Sequence, residues 1–418
     1  MSAKELTQAS DRGAERQDSL KTLLVLASTY PRWQGDPEPG FVHELAKRLT
    51  GRFRVIVLGP HAPGAKPREI LDGVEVVRYR YGPQRVETLV NDGGIVTNLR
   101  LHRWKLLLVP SFVLAQAWWA WRLCKREKVD VIHAHWLIPQ GLLALGCQRL
   151  TGRATPFVVT SHGADLYALR AAPLQALKRL VLRGAHAATV VSSAMREEVD
   201  QLGVDVSTVS VIPMGVDMAD RFVPDATQTR SRSELLFVGR LVEKKGLPFL
   251  LDALPAVLQE RPDVTLTIAG FGPDEDQLKA KVLELGLQNA VKFIGALPQK
   301  DLPVLYQRAA LFVAPFVKAE SGDQEGLPVA LMEAVACGCP ALAGDVAGLQ
   351  DIFGAHANAC IVNPRDKAAL AAAILAQLGE PEKAAQRSLS MRAALREHLG
   401  WDHVAERYAR LLEQACQK

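Results

Sequence analysis

Short, unbroken apolar runs recur along this chain, each separated from the next by a segment long enough for a turn or a helix. The first, at 22–28, reads TLLVLAS, with no alternation of polar positions, as a strand buried on both faces requires. Similar runs follow at 55–58, 74–77, 129–135, 157–160, 188–191 and 209–212. The rhythm restarts at 234–239, 265–269, 291–294, 310–314, 340–343 and 359–362. Strands alternating with helices predict a parallel sheet wrapped on both faces. Two such series predict two Rossmann-like α/β domains facing across a cleft, and 418 residues accommodate them at about 200 each.

The expected boundaries are a flexible tail over 1–20, an N-terminal domain over 21–215, a linker over 216–233, a C-terminal domain over 234–397 and a closing segment over 398–418. The tail is polar and lacks the apolar core of a signal peptide. The linker rests on DRFVPDATQTRSRSE, a polar stretch with little periodicity. Six cysteines in so long a chain make neither a disulfide framework nor a paired Cys-x-x-Cys zinc pattern, so the expected setting is a reducing cytoplasm. The net charge of +5 divides into +9 over residues 1–215 and −4 over 216–418. A basic front half suits an anionic ligand or membrane surface there. No Lys/Arg run is dense enough to suggest nucleic acid. Residues 106–121, LLLVPSFVLAQAWWAW, are almost wholly apolar but only sixteen long, against about 20 for a bilayer span. They are expected to form a sheet-covering helix in preference to one lying on a membrane.

Doubly wound sheets bind ligands beyond the carboxyl ends of their strands, so chemistry is sought in the loops that follow them. In EGLPVALMEAVACGCPAL, from Glu325, Pro328 suits a helix start and Gly338 its stop. The Gly326 and Leu327 amides are then left free at a helix N-terminus, where N–H groups and the helix dipole favour a phosphate. Glu325 precedes that terminus and Glu333 lies inside the helix, so the two carboxylates reach different parts of one ligand. In FVGRLVEKKG, from Phe237, Gly239 lets the backbone come close, and Arg240 and Lys245 supply two cations for a diphosphate. In the first half, a turn-rich loop around Gly35 runs into a helix. His133, His135 and Trp136 lie at one strand end, and His162 and Asp165 at the next. The paired histidines lack a carboxylate or Cys at metal-ligand spacing, so no metal is expected. Asp274, Glu275 and Asp276 are read as complementing a helix start, not as metal ligands.

Taken together, His-x-His-Trp, Ser-His-Gly-x-Asp, VIPMGVD at 211–217, Gly-Arg…Lys-Gly, the Glu-to-Glu passage and the closing WDHVAERY resemble the retaining glycosyltransferases of family 4 over nearly the whole chain from Thr22. The look is closest to bacterial enzymes of exopolysaccharide and other cell-surface glycan synthesis. The resemblance implies the GT-B architecture, with a last helix crossing back to the N-terminal domain. It implies a UDP- or GDP-sugar donor in the C-terminal domain, as substrate with no cofactor, and a glycan or polyprenyl-phosphate-linked acceptor in the N-terminal domain. It implies that Glu325 contacts the sugar, Glu333 the ribose, and Arg240 and Lys245 the diphosphate, helped by the Gly326 and Leu327 amides. His162 would face the sugar from the opposite wall, the Gly295–Ala296 turn would lie near the base, and His135, Trp136 and Asp165 would lie on the acceptor side. Peripheral contact with the cytoplasmic face of the inner membrane is a further expectation. Met214 and Phe316 depart from the family's common Asn and Ser, and a single Gly35 replaces its usual glycine pair. The competing readings are a catalytically silent GT-B scaffold in a polysaccharide-assembly complex and a GT-B sugar-nucleotide epimerase. The intact Arg240, Lys245, Glu325 and Glu333 speak against the scaffold, and the Glu-to-Glu passage speaks against the epimerase.

Overall fold

The computed structural model describes residues 20–36, 40–90, 94–152 and 154–417; residues 1–19, most of the expected tail, lie outside it. The first sheet contains β1 (Lys21–Leu26), β2 (Phe53–Pro60), β3 (Arg68–Leu71), β4 (Val74–Tyr79), β5 (Val131–His135), β6 (Phe157–Ser161), β7 (Ala187–Val190) and β8 (Val209–Val211). Their spatial order is β3-β4-β2-β1-β5-β6-β7-β8. The second sheet contains β9 (Glu234–Val238), β10 (Thr265–Ala269), β11 (Val291–Gly295), β12 (Leu311–Ala314), β13 (Ala341–Gly344) and β14 (Ile361–Val362), in the order β11-β10-β9-β12-β13-β14. Every neighbouring pair is parallel except β3 and β4. The apolar runs became strands because both their faces are covered: Leu23 to Leu26 and Leu235 to Phe237 are at most 1% exposed.

β3 is the one strand the sequence reading lacks. Its Arg-Glu-Ile-Leu alternates exposed and half-buried positions at the sheet edge, so it carries no apolar run. A two-residue turn, Asp72 (φ 48) and Gly73 (φ 81), joins it to β4, and left-handed residues at both positions match the twist of a hairpin.

The helix Leu108–Arg126 lies on the first sheet through Phe112, Gln116, Ala120, Leu123 and Cys124. With the preceding turn it forms a 24-residue segment, Arg103–Arg126, long and apolar enough to cross a membrane by length and composition. It covers the sheet instead, and Gln116 Nε2 donates to the Ala27 carbonyl at 3.2 Å.

The chain crosses between the domains twice, side by side. Val216 N–H donates to Leu399 O at 2.7 Å, and Val216 pairs in parallel with Gly400. The polar stretch read as a linker is packed, not loose. Met218 and Phe222 are buried, and Arg230 donates to the carbonyls of Tyr306, Ala309 and Gly338 in the second domain. After the second crossing, helix Trp401–Ala415 packs on the first domain, against helix Phe41–Leu49, β5 and β6. Its Tyr408 hydroxyl donates to Ile212 O at 3.2 Å, and Leu412 is fully buried. One apolar core runs through the first domain, this helix and the facing side of the second domain. A second core fills the far side of the second domain.

Candidate active site

In each sheet the strand order reverses once, between β1 and β5 and between β9 and β12. The crevices that such reversals leave beyond the strand ends are the ordinary ligand sites of doubly wound sheets. Here the loops beyond both sheets wall a single cavity of about 360 Å³ between the domains.

On the second domain, β9 leads into Gly239 and Arg240, and a 3₁₀ turn over Glu243–Lys245 brings two adjacent lysines to one carboxylate. Lys244 Nζ lies 3.4 Å from Glu325 Oε1 and Lys245 Nζ 3.3 Å from Oε2. Lys244 also pairs with Asp323 at 3.3 Å. Lys245 sits 4.8 Å over the Phe316 ring, so the aromatic residue at 316 holds the ammonium as a cation–π partner. Burial alone would push the Glu325 carboxyl up, but Lys244, Lys245 and Arg240 outweigh it and hold it at about 2. Burial pulls the Lys245 ammonium below its usual range, which Glu325 only partly opposes.

Helix Val329–Ala336 begins just after Pro328 and ends with Gly338 at φ 69. There Gly338 N–H donates to Val335 O and Cys339 N–H to Ala334 O, the paired bonds of a glycine-terminated helix. At its start, no backbone hydrogen bond takes the Gly326 or Leu327 amide among the described residues. Inside the helix, Glu333 accepts from Gln299 Nε2 at 2.8 Å and from the Tyr306 hydroxyl at 3.0 Å. Burial raises its carboxyl to about 7, although both donors and Arg221 oppose the shift. Arg221 in turn donates to Gln299 Oε1 at 3.1 Å and lies 3.7 Å from Glu44 of the first domain.

The opposite wall is aromatic. Trp136 follows β5 with φ 78, a conformation rare for a residue with a side chain. Hydrogen bonds hold it there, from its N–H to Thr160 O at 2.7 Å and from Gly141 N–H to its own carbonyl at 3.0 Å. Its indole meets His162 (centroids 5.0 Å apart) and Phe41. His162 Nε2 shares a 2.9 Å hydrogen bond with His135 Nδ1. Burial, helped by His133, lowers the His162 imidazole to about 3, so it is neutral at pH 7. Asp165 accepts from Leu137 N–H at 2.7 Å, Ser161 Oγ at 2.9 Å and His162 N–H at 3.3 Å, which ties together the loops after β5 and β6.

The walls touch at two glycines. A Cβ on Gly163 would stand 2.9 Å from Gly326 Cα and N, and a Cβ on Gly326 would stand 2.5 Å from His162 O. No side chain fits at this contact, since real Cβ atoms avoid separations under 3 Å.

Of the residues singled out from sequence, Gly239, Arg240, Lys245, Ala296, Glu325, Gly326, Leu327, Glu333, Trp136 and His162 line the cavity. Four lie elsewhere. Gly35 stands in the first loop with open space around it, and Gly40, Phe41 and Glu44 reach the cavity in its place. Gly295 accepts from Gly270 N–H at 2.8 Å and shapes the turn behind Ala296. His135 and Asp165 are buried behind the wall, where they hold His162 and its loop. Sequence reasoning missed Glu44, Arg221, Lys244, Gln299 and Trp401, all of which line the cavity. The adjacent lysines at 244 and 245 were a usable signal, whereas nothing marked Arg221 inside an aperiodic polar stretch. Asp274 does stand at a helix start, with Glu275 and Asp276 in the first turn. Among the described residues, no group of three or more His, Cys, Asp or Glu stands ready for a metal ion.

Residues 41–220 match the Glycosyltransferase Family 4 model, and residues 224–393 match the Glycosyl transferases group 1 model. The chain belongs to glycosyltransferase family 4. This family 4 chain is 29% identical over 388 residues to the glycogen synthase of Mycobacterium tuberculosis, covering 87% of each chain. It is 31% identical over 188 residues to the amylovoran biosynthesis glycosyltransferase AmsK of Erwinia amylovora, covering 44% of this chain and 46% of that one. Among solved structures, sucrose-phosphate synthase of Thermosynechococcus elongatus superimposes with a TM-score of 0.75 at 21% identity, over 94% of this chain and 98% of that one. The Anabaena protein Alr3699/HepE, in complex with UDP-glucose, superimposes with a TM-score of 0.69 at 18% identity, over 94% and 99%. Both likenesses give the GT-B fold.

Proposed function

We propose that this glycosyltransferase is a retaining hexosyltransferase that needs no metal ion. It moves a sugar from a UDP- or GDP-sugar to a glycan or lipid-linked acceptor in cell-surface polysaccharide synthesis. One observation carries the reading: Arg240, Lys244 and Lys245 converge with Glu325 beside the free Gly326 and Leu327 amides, opposite His162. A departing nucleotide diphosphate leaves positive charge at the anomeric carbon and carries negative charge onto phosphate. Three cations and two amides fixed around one point stabilise that phosphate without reorganising. Lys245 passes from the Glu325 carboxylate to the diphosphate, which frees Glu325 for the sugar hydroxyls. Lys244 keeps Asp323. Glu333, eight residues further along the chain, takes the ribose hydroxyls. The UDP-glucose held by the Anabaena relative and the amylovoran role in the AmsK name agree with the donor and acceptor classes.

A double displacement would need a carboxylate placed as nucleophile. With the donor bound, Glu325 is taken up by the sugar hydroxyls and Glu333, which accepts from Gln299 and Tyr306, by the ribose, so neither is assigned as the nucleophile. The acceptor hydroxyl therefore attacks on the face the diphosphate leaves. Its proton passes to the departing phosphate oxygen, and the configuration is retained. Purified protein is expected to release UDP or GDP from a nucleotide sugar in the presence of EDTA, with Glu325→Ala losing most of the rate. No turnover with any common nucleotide sugar would favour the scaffold reading. Loss in EDTA restored by magnesium or manganese would overturn metal independence.

A further inference from the structure

The helix Leu108–Arg126 has two apolar faces, and the sheet covers only one. On the other, Leu114 is 68% exposed, Trp118 50% and Trp121 43%, and Leu107 in the turn before it is 81% exposed. Positions 107, 114, 118 and 121 fall at helical spacing, so these side chains form one continuous stripe. Leu101, Trp104 and Leu106 widen it at its start. A monomer surface rarely leaves a contiguous patch of this kind uncovered.

Charge selects the occupant. From 93 to 126 the sequence holds no Asp or Glu and six Lys or Arg. Arg103 lies at one end of the stripe, and Arg122, Lys125, Arg126 and Lys128 at the other. Glu127, the acid that ends this run, is turned aside to Arg54 at 3.1 Å. Arg122 lies 5.1 Å over the Trp118 ring, which places a guanidinium and an indole at one level, as the headgroup boundary of a bilayer favours. A second copy docked on the same patch about a twofold axis would bring these cations toward their own images. An anionic bilayer meets both the apolar stripe and its basic ends.

We propose that this stripe is a membrane-docking surface that lies in the headgroup region of an anionic bilayer. The segment also leads back to the cavity: it is preceded by helix Gly94–Leu101, and a Cβ on Gly94 would stand 3.3 Å from Arg240 Nη1. Docking therefore holds the cleft beside the lipid surface, where a lipid-linked acceptor presents its head. That last consequence rests on the proposed reaction, whereas the docking surface does not.

The test is flotation of the full chain with phosphatidylglycerol–phosphatidylcholine vesicles against phosphatidylcholine alone, read without any turnover. The protein is expected to float with the anionic vesicles and to be released by high salt. The triple variant Leu107→Ser, Leu114→Ser, Trp118→Ser is expected to lose on the order of tenfold in binding while keeping its thermal unfolding transition. Lys125→Glu with Arg126→Glu should weaken binding to the anionic vesicles only. In the unaltered chain, brominated lipid should quench tryptophan fluorescence, a readout that needs no variant to fold. Failure of the unaltered chain to float, equal flotation of the triple variant, or a dimer in light scattering that the triple variant abolishes would each overturn the proposal.

Discussion

Glu325 and Glu333 are both buried acids beside one helix, yet their carboxyls move in opposite directions. The difference lies in their partners: Glu325 faces two ammoniums and Arg240, which outweigh desolvation, whereas Glu333 has two neutral donors and only a weaker pull from Arg221, and desolvation wins. Their effects on stability are therefore opposite in sign. Glu333, raised from its unfolded range to about 7, stabilises the native chain at low pH and loses that contribution as pH rises from about 4.5 through 7. Glu325, held at about 2, contributes above about 4.5 and loses its contribution as pH falls toward 2. Thermal unfolding of Glu333→Gln should thus fall less steeply than that of the unaltered chain between pH 5 and 7.5, by at most about 3 kcal/mol. Superimposed profiles would show that Glu333 does not titrate there. Lys245→Ala is expected to weaken UDP or GDP binding on the order of tenfold or more in calorimetry. Lys244→Ala should cost less, because Asp323 already shares that ammonium. Sequence alone brought Glu325, Glu333, Arg240 and Lys245 to light, since Arg240 and Lys245 follow a strand, Glu325 precedes a helix start and Glu333 lies inside that helix. It did not find Arg221 or Glu44, whose places depend on how the two domains close on each other.

At the scale of elements, thirteen of fourteen strands among the described residues lie at expected apolar runs. A strand buried on both faces can carry no polar alternation, which is why it is legible. The missed β3 is an edge strand with charged side chains, and only its Asp72-Gly73 turn announced it. The stretch read as a linker carries more packing than its composition suggests. It is polar by composition, yet Phe222, Met218 and the three carbonyl bonds of Arg230 fasten it to the second domain. The closing helix is fixed by its apolar seam, which includes Trp401, Val404, Tyr408 and Leu412. Leu412→Ala should destabilise the first domain by roughly 2–5 kcal/mol, read as a lower denaturant midpoint. Leu283→Ala, at a side chain 62% exposed in the second domain, should change it by less than about 0.5 kcal/mol.

For the whole molecule, the decisive contact is the one between Gly163 and Gly326. Closing the cleft to this distance brings the His162 wall onto the cations of the opposite domain. Gly326→Ala adds a methyl that meets His162 O before the walls arrive, so kcat/KM should fall by about tenfold or more while the protein stays folded. Unchanged turnover in steady-state assays would mean that catalysis does not require this closure. The paired crossings at Val216 and Gly400 give the domains a common pivot. They also separate in sequence what they join in space. On the ribosome the strands of the first domain are made first, but the side chains that finish its core, Tyr408 and Leu412, are made only after the whole second domain. The first domain therefore waits through that interval with an uncovered apolar bed, exposed to chaperones and to mispairing. A rearranged chain with residues 401–417 placed ahead of β1 would remove the wait.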